Sequence, residues 1–277
     1  MLVRFALAAA AVLLPVAGWG APKPPASLRL YVFDCGRLKV EDPVRFDFKK
    51  EELAELDLSV GCYLVVHPKG TLMWDTGVIP DAMFKPGVPA TLDYAISTKP
   101  LLPQLAKVGY TPADITYLAL SHYHWDHVGN ANAFAGSLWL ARKAEHELMF
   151  AQPPPRTEPA RYSALKNAKT QLIGDGDYDV FGDGTVVMKF TPGHTEGHQV
   201  LYLKLAKTGP IVLSGDLYHY PEELKVHRAP VRDINKQQTF ESRDKLQAFL
   251  KQSGAQLWIQ HDLRGFQKLK KAPEYYD

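Results

Sequence analysis

Four short segments concentrate the residue types that bind metal ions. They are Ser121-His122-Tyr123-His124-Trp125-Asp126-His127, Thr191-Pro192-Gly193-His194-Thr195-Glu196-Gly197-His198, Ser214-Gly215-Asp216 and His261-Asp262. In an extended segment, residues two apart point the same way, so His122 and His124 can grip one ion together. Asp126 and His127 are adjacent and diverge unless the chain turns. A turn into a helix after Asp126 would aim both at a second ion beside the first. Imidazole and carboxylate without thiolate suit zinc, and also iron, cobalt or manganese. Three histidines and an aspartate within the six residues His122 to His127 have no packing rationale. A lone histidine such as His261 more often does nothing of the kind, and only its place beside the other three segments makes it a candidate.

The elements that must position these residues are legible as apolar runs. Ile115–Leu120 reads as a strand that ends in the first histidine segment, and Thr185–Phe190 as one that ends in the second. Ile211–Leu213 ends in Asp216 and Leu257–Gln260 in His261. Each ligand-type residue thus lies just past the C-terminal end of a strand, and rigid strands delivering side chains to one edge make a site of defined geometry. Leu28–Phe33 reads as a first strand. Val60–Val66 and Thr71–Trp74 form a hairpin about the turn residues Pro68 and Gly70. A short helix is expected at Lys49–Leu56, and others at Leu101–Val108, up to about Phe150, and over Phe240–Leu250. Strands with helices between them in both halves imply two sheets packed face to face with helices outside. The proline-dotted stretches Pro80–Pro100 and Gln152–Pro159 are long for connections, and are candidate lids over a site.

The chain has 277 residues, a hydrophobic fraction of 46% and a formal net charge of +2, which give no electrostatic case for nucleic acid. Arg4, the apolar run Phe5–Val16, and small residues at Gly18 and Gly20 read as a secretory signal peptide over residues 1–20. Export to the periplasm or medium is the expectation that follows. Cys35 and Cys62 are the two cysteines. Both lie in apolar runs where a buried free thiol is common, and two unlinked thiols are expected.

The pattern His122-x-His124-x-Asp126-His127, then His194 in Thr-Pro-Gly-His-Thr-x-Gly-His, then Asp216 and His261, resembles the metallo-β-lactamase superfamily. Asp75-Thr76-Gly77 matches that superfamily's first motif. The resemblance implies an α/β fold, a four-layer αββα sandwich, over residues 21–277 as one hydrolase domain. It implies that His122, His124 and His194 bind one metal, that Asp126, His127 and His261 bind a second, and that Asp216 bridges two Zn2+ or related ions. Asp75 would orient ligands, and His198 is a candidate for a similar part. Within the superfamily the chain is most similar to N-acyl homoserine lactonases, through Leu30–Gly36, His67–Gly77 and Ser214–Tyr220. That resemblance implies a small lactone substrate, quorum quenching, and Asp126 as the proton carrier in ring opening. Such lactonases often carry a substrate-contacting tyrosine three residues after the bridging aspartate. Here His219 stands there, flanked by Tyr218 and Tyr220, and all three are candidates for that contact. A β-lactamase, a thioester hydrolase or a phosphodiesterase on the same scaffold are the alternatives, with a di-iron oxidoreductase or a non-catalytic metal-binding protein more remote. No nucleic acid or membrane partner is expected after signal removal, and a homodimer is left open.

Overall fold

The computed structural model describes residues 23–151 and 158–277. The expected signal peptide lies outside the described residues, as does most of the second candidate lid. In chain order the strands are β1 Arg29–Leu38, β2 Leu58–His67, β3 Gly70–Trp74, β4 Ala90–Leu92, β5 Ala95–Ser97, β6 Tyr117–Ala119, β7 Leu138–Arg142, β8 Thr170–Ile173, β9 Tyr178–Asp179, β10 Val186–Phe190, β11 Gln199–Leu205, β12 Gly209–Leu213, β13 Gln256–Trp258 and β14 Tyr275–Tyr276. The helices are α1 Leu101–Lys107, α2 Lys143–Met149, α3 Pro159–Tyr162, α4 Lys236–Ser253 and α5 Leu263–Lys268.

Nine strands form one sheet, ordered β4-β5-β1-β2-β3-β6-β7-β8 with β14 also on β1, and five form a second, β13-β12-β11-β10-β9. Side-chain alternation explains the layering. On β1, Leu30 and Val32 face the second sheet, where they meet Met188, Leu201 and Leu213. Tyr31 and Phe33 face the opposite way, into the layer that holds Leu101 and Leu105 of α1 and Met149 of α2. On the second sheet, Leu201 and Leu203 point inward, while Val200 and Tyr202 pack against Leu246 and Phe249 of α4. Both faces of the first sheet are covered, which is why β2 reads Leu-Ser-Val-Gly-Cys-Tyr-Leu-Val-Val-His with every residue buried. This is the expected four-layer αββα sandwich.

Topology brings the ligand-type residues to one side. β3, β6 and β7 run parallel, so the ends after Trp74 and Ala119 emerge at one edge. β10 and β12 are each antiparallel to β11, and β13 is parallel to β12, so all three also end together. The helix α4 is longer than its apolar spacing predicts. Asn235 caps it by accepting a hydrogen bond from the Gln238 amide at 3.1 Å, and Gly254 ends it with φ 67°.

Three expectations change. Lys49–Leu56 is not a helix but a 3-10 turn at Lys50–Glu52, preceded by another at Pro43–Phe46. Pro80–Pro100 is not a bare lid: β4 and β5 extend the sheet edge beside β1, and their turn carries Tyr94 to the site. Cys35 and Cys62 are not free thiols but a disulfide, with Cα atoms 6.0 Å apart. Cys62 pairs with Phe33, and Cys35 lies two residues further on the same face of β1, so the two cysteines are diagonal neighbours across the strands.

Candidate metal centre

The first histidine segment follows β6 and turns at once, since the His127 amide donates to the His124 carbonyl at 3.0 Å. That tight turn, rather than a following helix, swings Asp126 and His127 to one side and leaves His122 and His124 on the other. The next helical residues are a 3-10 turn at Ala131–Phe134. Gly193 has φ 135°, and a Cβ there would come within 2.2 Å of the Thr239 amide nitrogen, so only glycine lets this loop pass over the start of α4 and present His194. Gly215, with φ 49°, likewise makes room for His198 beside the Asp216 loop.

The ligand-type atoms form two sets. His122, His124, His194 and Asp216 make one, and Asp126, His127, His261 and Asp216 the other, with the atoms of each set within 4.8 Å of one another. In the first, the His124 Nδ1 lies 2.8 Å from His122 Nε2 and 3.0 Å from His194 Nε2. In the second, the Asp216 Oδ1 lies 3.0 Å from both His127 Nε2 and His261 Nε2, and Asp126 Oδ2 stands 3.6 Å from His261 Nε2. Asp216 straddles the sets, because its other oxygen, Oδ2, is 3.3 Å from His194 Nε2 and 3.6 Å from His122 Nε2.

Three of the rings are oriented from behind. His127 Nδ1 donates to Asp75 Oδ2 at 2.9 Å, His194 Nδ1 to Asp233 Oδ1 at 2.8 Å and His261 Nδ1 to the Ser59 carbonyl at 2.7 Å. A ring that donates from Nδ1 presents the Nε2 lone pair to the site. Asp75 is itself fixed by the Ser121 amide and by Gln260 Nε2, at 2.7 and 3.0 Å. His198 takes the supporting part expected of it: its Nε2 accepts from the Asp216 amide at 2.9 Å. Glu145, fully buried, accepts from the Tyr123 amide, the Gly197 amide and the Thr195 hydroxyl, tying the two histidine loops together.

The residues fit a pair of cations on their own geometry. His127 Nε2 and Asp216 Oδ1 are buried without a hydrogen-bond partner, although they face each other. Two buried acceptors so placed are unfavourable unless a positive charge lies between them. The electrostatics agree. Burial opposes charge on His194, yet Asp216 and Asp233 raise it to about 10, and His261 is likewise raised against burial by Asp216 and Asp126. Burial and the neighbouring rings hold His122 and His124 well below the usual histidine range. Burial pushes Asp216 up, but His261, His127, His122 and His219 outweigh it and hold the carboxyl well down. Such a set binds protons or metal cations in competition.

Of the three candidates for substrate contact, only His219 faces the cavity over this cluster. Its Nε2 lies 3.2 Å from Asp216 Oδ2. Tyr218 is turned the other way, under the Arg243 guanidinium at 4.4 Å and bonded to Gln247. Tyr220 points into the 39–57 segment, where its hydroxyl donates to the Leu56 carbonyl at 2.8 Å and its ring meets Phe46 and Phe48 edge-on. Consecutive side chains of this turn simply alternate in direction. His67 is buried, stacked on Phe181 and 2.9 Å from Asp183. His146 is half-buried beside Trp139 and Phe150.

The cavity of about 280 Å³ is walled by residues outside every motif, among them Leu38, Arg45, Phe46, Tyr94 and Arg232. No spacing in the sequence marks them, because they come from several separate segments: the end of β1, the Pro43–Phe46 turn, the β4–β5 turn and the segment before α4. Asp233 and Gln260 were missed for the same reason: a single polar residue in a loop carries no periodic signal.

A sequence profile of the metallo-β-lactamase superfamily matches residues 57–251. The chain is 28% identical to the N-acyl homoserine lactonase AttM of Azorhizobium caulinodans, over 90% of its own length and 99% of that protein. It is 29% identical to an N-acyl homoserine lactonase of a Bacillus species, over 89% and 98% of the two chains. A solved quorum-quenching N-acyl homoserine lactone hydrolase superposes with a TM-score of 0.75 at 24% identity, covering 91% of this chain and 99% of that one. AidC, solved as a dizinc quorum-quenching lactonase with a product, gives a TM-score of 0.65 at 21% identity, covering 90% and 94%. With the matched profile spanning most of the sequence and the paired ligand sets in place, the chain belongs to the metallo-β-lactamase superfamily.

Proposed function

We propose that this protein opens the lactone ring of N-acyl homoserine lactones, using His122, His124 and His194 for one metal ion, Asp126, His127 and His261 for another, and Asp216 between them. The observation that carries the reading is the straddling Asp216, with one oxygen toward each nitrogen set. The relatives named as lactonases along nearly their whole length support the choice of substrate. Zinc suits the nitrogen and oxygen donors, with iron, cobalt or manganese as other occupants. When bound, two such ions supply Lewis acidity to water and to the carbonyl oxygen.

The chain's own residues do the rest. Asp126 lies at the cavity floor with Oδ2 toward the second set, and is placed to hold the proton that water gives up as its oxygen adds to the lactone carbonyl carbon. It returns that proton to the ring oxygen when the carbon–oxygen bond breaks. The product is a hydroxy acid, and its ionisation releases one proton to solvent. Replacing Asp126→Asn is therefore expected to lower kcat by about 10²-fold or more while lowering metal content far less. Steady-state turnover beside metal analysis of the same samples checks this, and full activity in the variant would remove Asp126 from that part. Export to the periplasm is proposed on the residue pattern of the first 20 residues.

Proton release in weak buffer tests the reading directly. Zinc-loaded protein is given short- and long-chain acyl homoserine lactones, a simple γ-lactone, a chromogenic cephalosporin and a thioester, each with and without chelator. Chelator-sensitive lactone opening with the others slow is expected. Fast cephalosporin or thioester cleavage with inert lactones would replace the substrate class and keep the metal centre.

A further inference from the structure

The wall of the cavity carries a cation that the proposed reaction does not use. Arg45 lies in the 3-10 turn Pro43–Phe46 and is half-buried. Its guanidinium lies over two aromatic faces, 4.8 Å from the centre of Phe46 and 4.8 Å from that of Tyr94. A guanidinium beside two rings keeps its N–H groups in its own plane, where they can meet an acceptor. Among the described residues Arg45 makes no ion pair; its guanidinium meets the Tyr94 side chain, and its Nε is buried with no hydrogen-bond partner. The backbone beneath it is fixed, since its carbonyl accepts from the Val231 amide at 2.9 Å.

The rings around this cation connect it to the metal centre. Tyr94 meets Trp125 edge-on at 5.0 Å, and Trp125 stands between His124 and Asp126 in the motif itself. Tyr94 is delivered by the β4–β5 turn, where Asp93 takes φ 51°. Leu38, Phe46, Leu58, Trp125 and Pro230 make the remaining wall largely apolar. Arg232 also lines the cavity, and a largely apolar wall that presents the Arg45 guanidinium beside the aromatic rings suits a ligand with an apolar tail and a hydrogen-bond acceptor near its reacting end.

Resting on the lactonase reading, we infer that Arg45 is a specificity-determining residue: it donates to the amide carbonyl of the substrate's acyl arm, and so makes the protein prefer N-acyl amino lactones to plain alkyl lactones. Tyr94 and Phe46 position the guanidinium for that contact. A buried donor left unpaired disfavours a ligand without an acceptor, so the selectivity has two contributions, one gained with the amide and one lost without it.

The test uses the metal-loaded protein, N-hexanoyl homoserine lactone and an alkyl γ-lactone of matched tail length. Arg45→Met keeps the stem over both rings and removes every donor. The expected result is a KM for the acyl lactone raised about tenfold, with kcat within about twofold, and a preference over the alkyl lactone reduced by about tenfold, the size of one lost charge-assisted hydrogen bond. Arg45→Lys keeps the charge without the planar fork and is expected to shift the preference in the same direction by less. It also serves if the Met variant does not fold, which thermal unfolding and metal content would reveal. An acyl-to-alkyl preference unchanged in the variants, whatever happens to absolute rates, overturns the inference. A wild-type protein that opens neither lactone overturns the lactonase reading instead, so the two failures are separate.

Discussion

The floor and the wall of one cavity are built on opposite plans. On the floor, His127, His194 and His261 are held from behind by Asp75, Asp233 and the Ser59 carbonyl, and the two carboxylates are themselves bonded. On the wall, Arg45 and Tyr94 come from connections with no motif of their own and are held by ring contacts. The difference teaches that the site's chemistry is over-determined while its selectivity rests on few contacts. Changes on the floor should therefore act steeply, on metal or on turnover, and changes on the wall gently and on substrate choice.

Asp216 gives the largest expected effect, because it alone serves both sets. Asp216→Ala should lower kcat/KM by roughly 10³-fold or more and lower the bound metal toward one ion per chain or less. Metal analysis after dialysis, read beside lactone opening, checks both halves. Two tightly held ions in that variant would show that the two sets do not share a carboxylate.

Asp75 comes next, as it touches no substrate. Asp75→Asn removes the carboxylate that fixes the His127 tautomer and should weaken metal binding by about 10–100-fold. Competition with a chromophoric chelator measures this, and activity should return at high zinc. An affinity equal to wild type would mean that Gln260 and Ser121 hold the loop without it.

The contrast between floor and wall also explains what could be read in advance. The four layers were legible because alternation on β1 and β11 and the solid apolar run of β2 follow from burial alone. All seven ligand-type residues were legible because they are crowded at strand ends. Tyr218 and Tyr220 were misplaced because the spacing gives their position in the chain but not the direction of a turn. Arg45 and Tyr94 stayed hidden because their meeting depends on how the 39–57 and 80–100 connections fold against each other. The disulfide was missed because its two halves become neighbours only through the β1–β2 register.

Glu145 offers a subtler test of the floor, through pH. Burial raises its carboxyl to about 7, against the opposing pull of the donors at Thr195, Gly197 and Tyr123. A carboxyl that binds its proton more tightly folded than unfolded adds stability at low pH, and that contribution is lost as pH rises from its ordinary value of 4.5 through about 7. Glu145→Gln removes the titration. In chelator-treated protein, the unfolding midpoint of wild type should therefore fall relative to that of the variant between about pH 5 and pH 8. The difference between the two curves isolates Glu145 from the histidines that titrate in the same range. Parallel curves would show that its proton is not involved.

Tyr220 marks the smallest expected effect and the sharpest boundary of the wall. It neighbours His219, which faces the cavity, yet its hydroxyl is occupied with Leu56 and its ring with Phe46 and Phe48. Tyr220→Phe keeps the ring contacts and leaves the Leu56 carbonyl without that donor. The expected outcome is a stability loss of about 1 kcal/mol with kcat/KM for the lactone unchanged within about twofold. Denaturant unfolding gives the first quantity and the proton-release assay the second. A large fall in kcat with stability intact would mean that the hydroxyl leaves Leu56 to meet the substrate, and would move Tyr220 from the support of the wall to its surface.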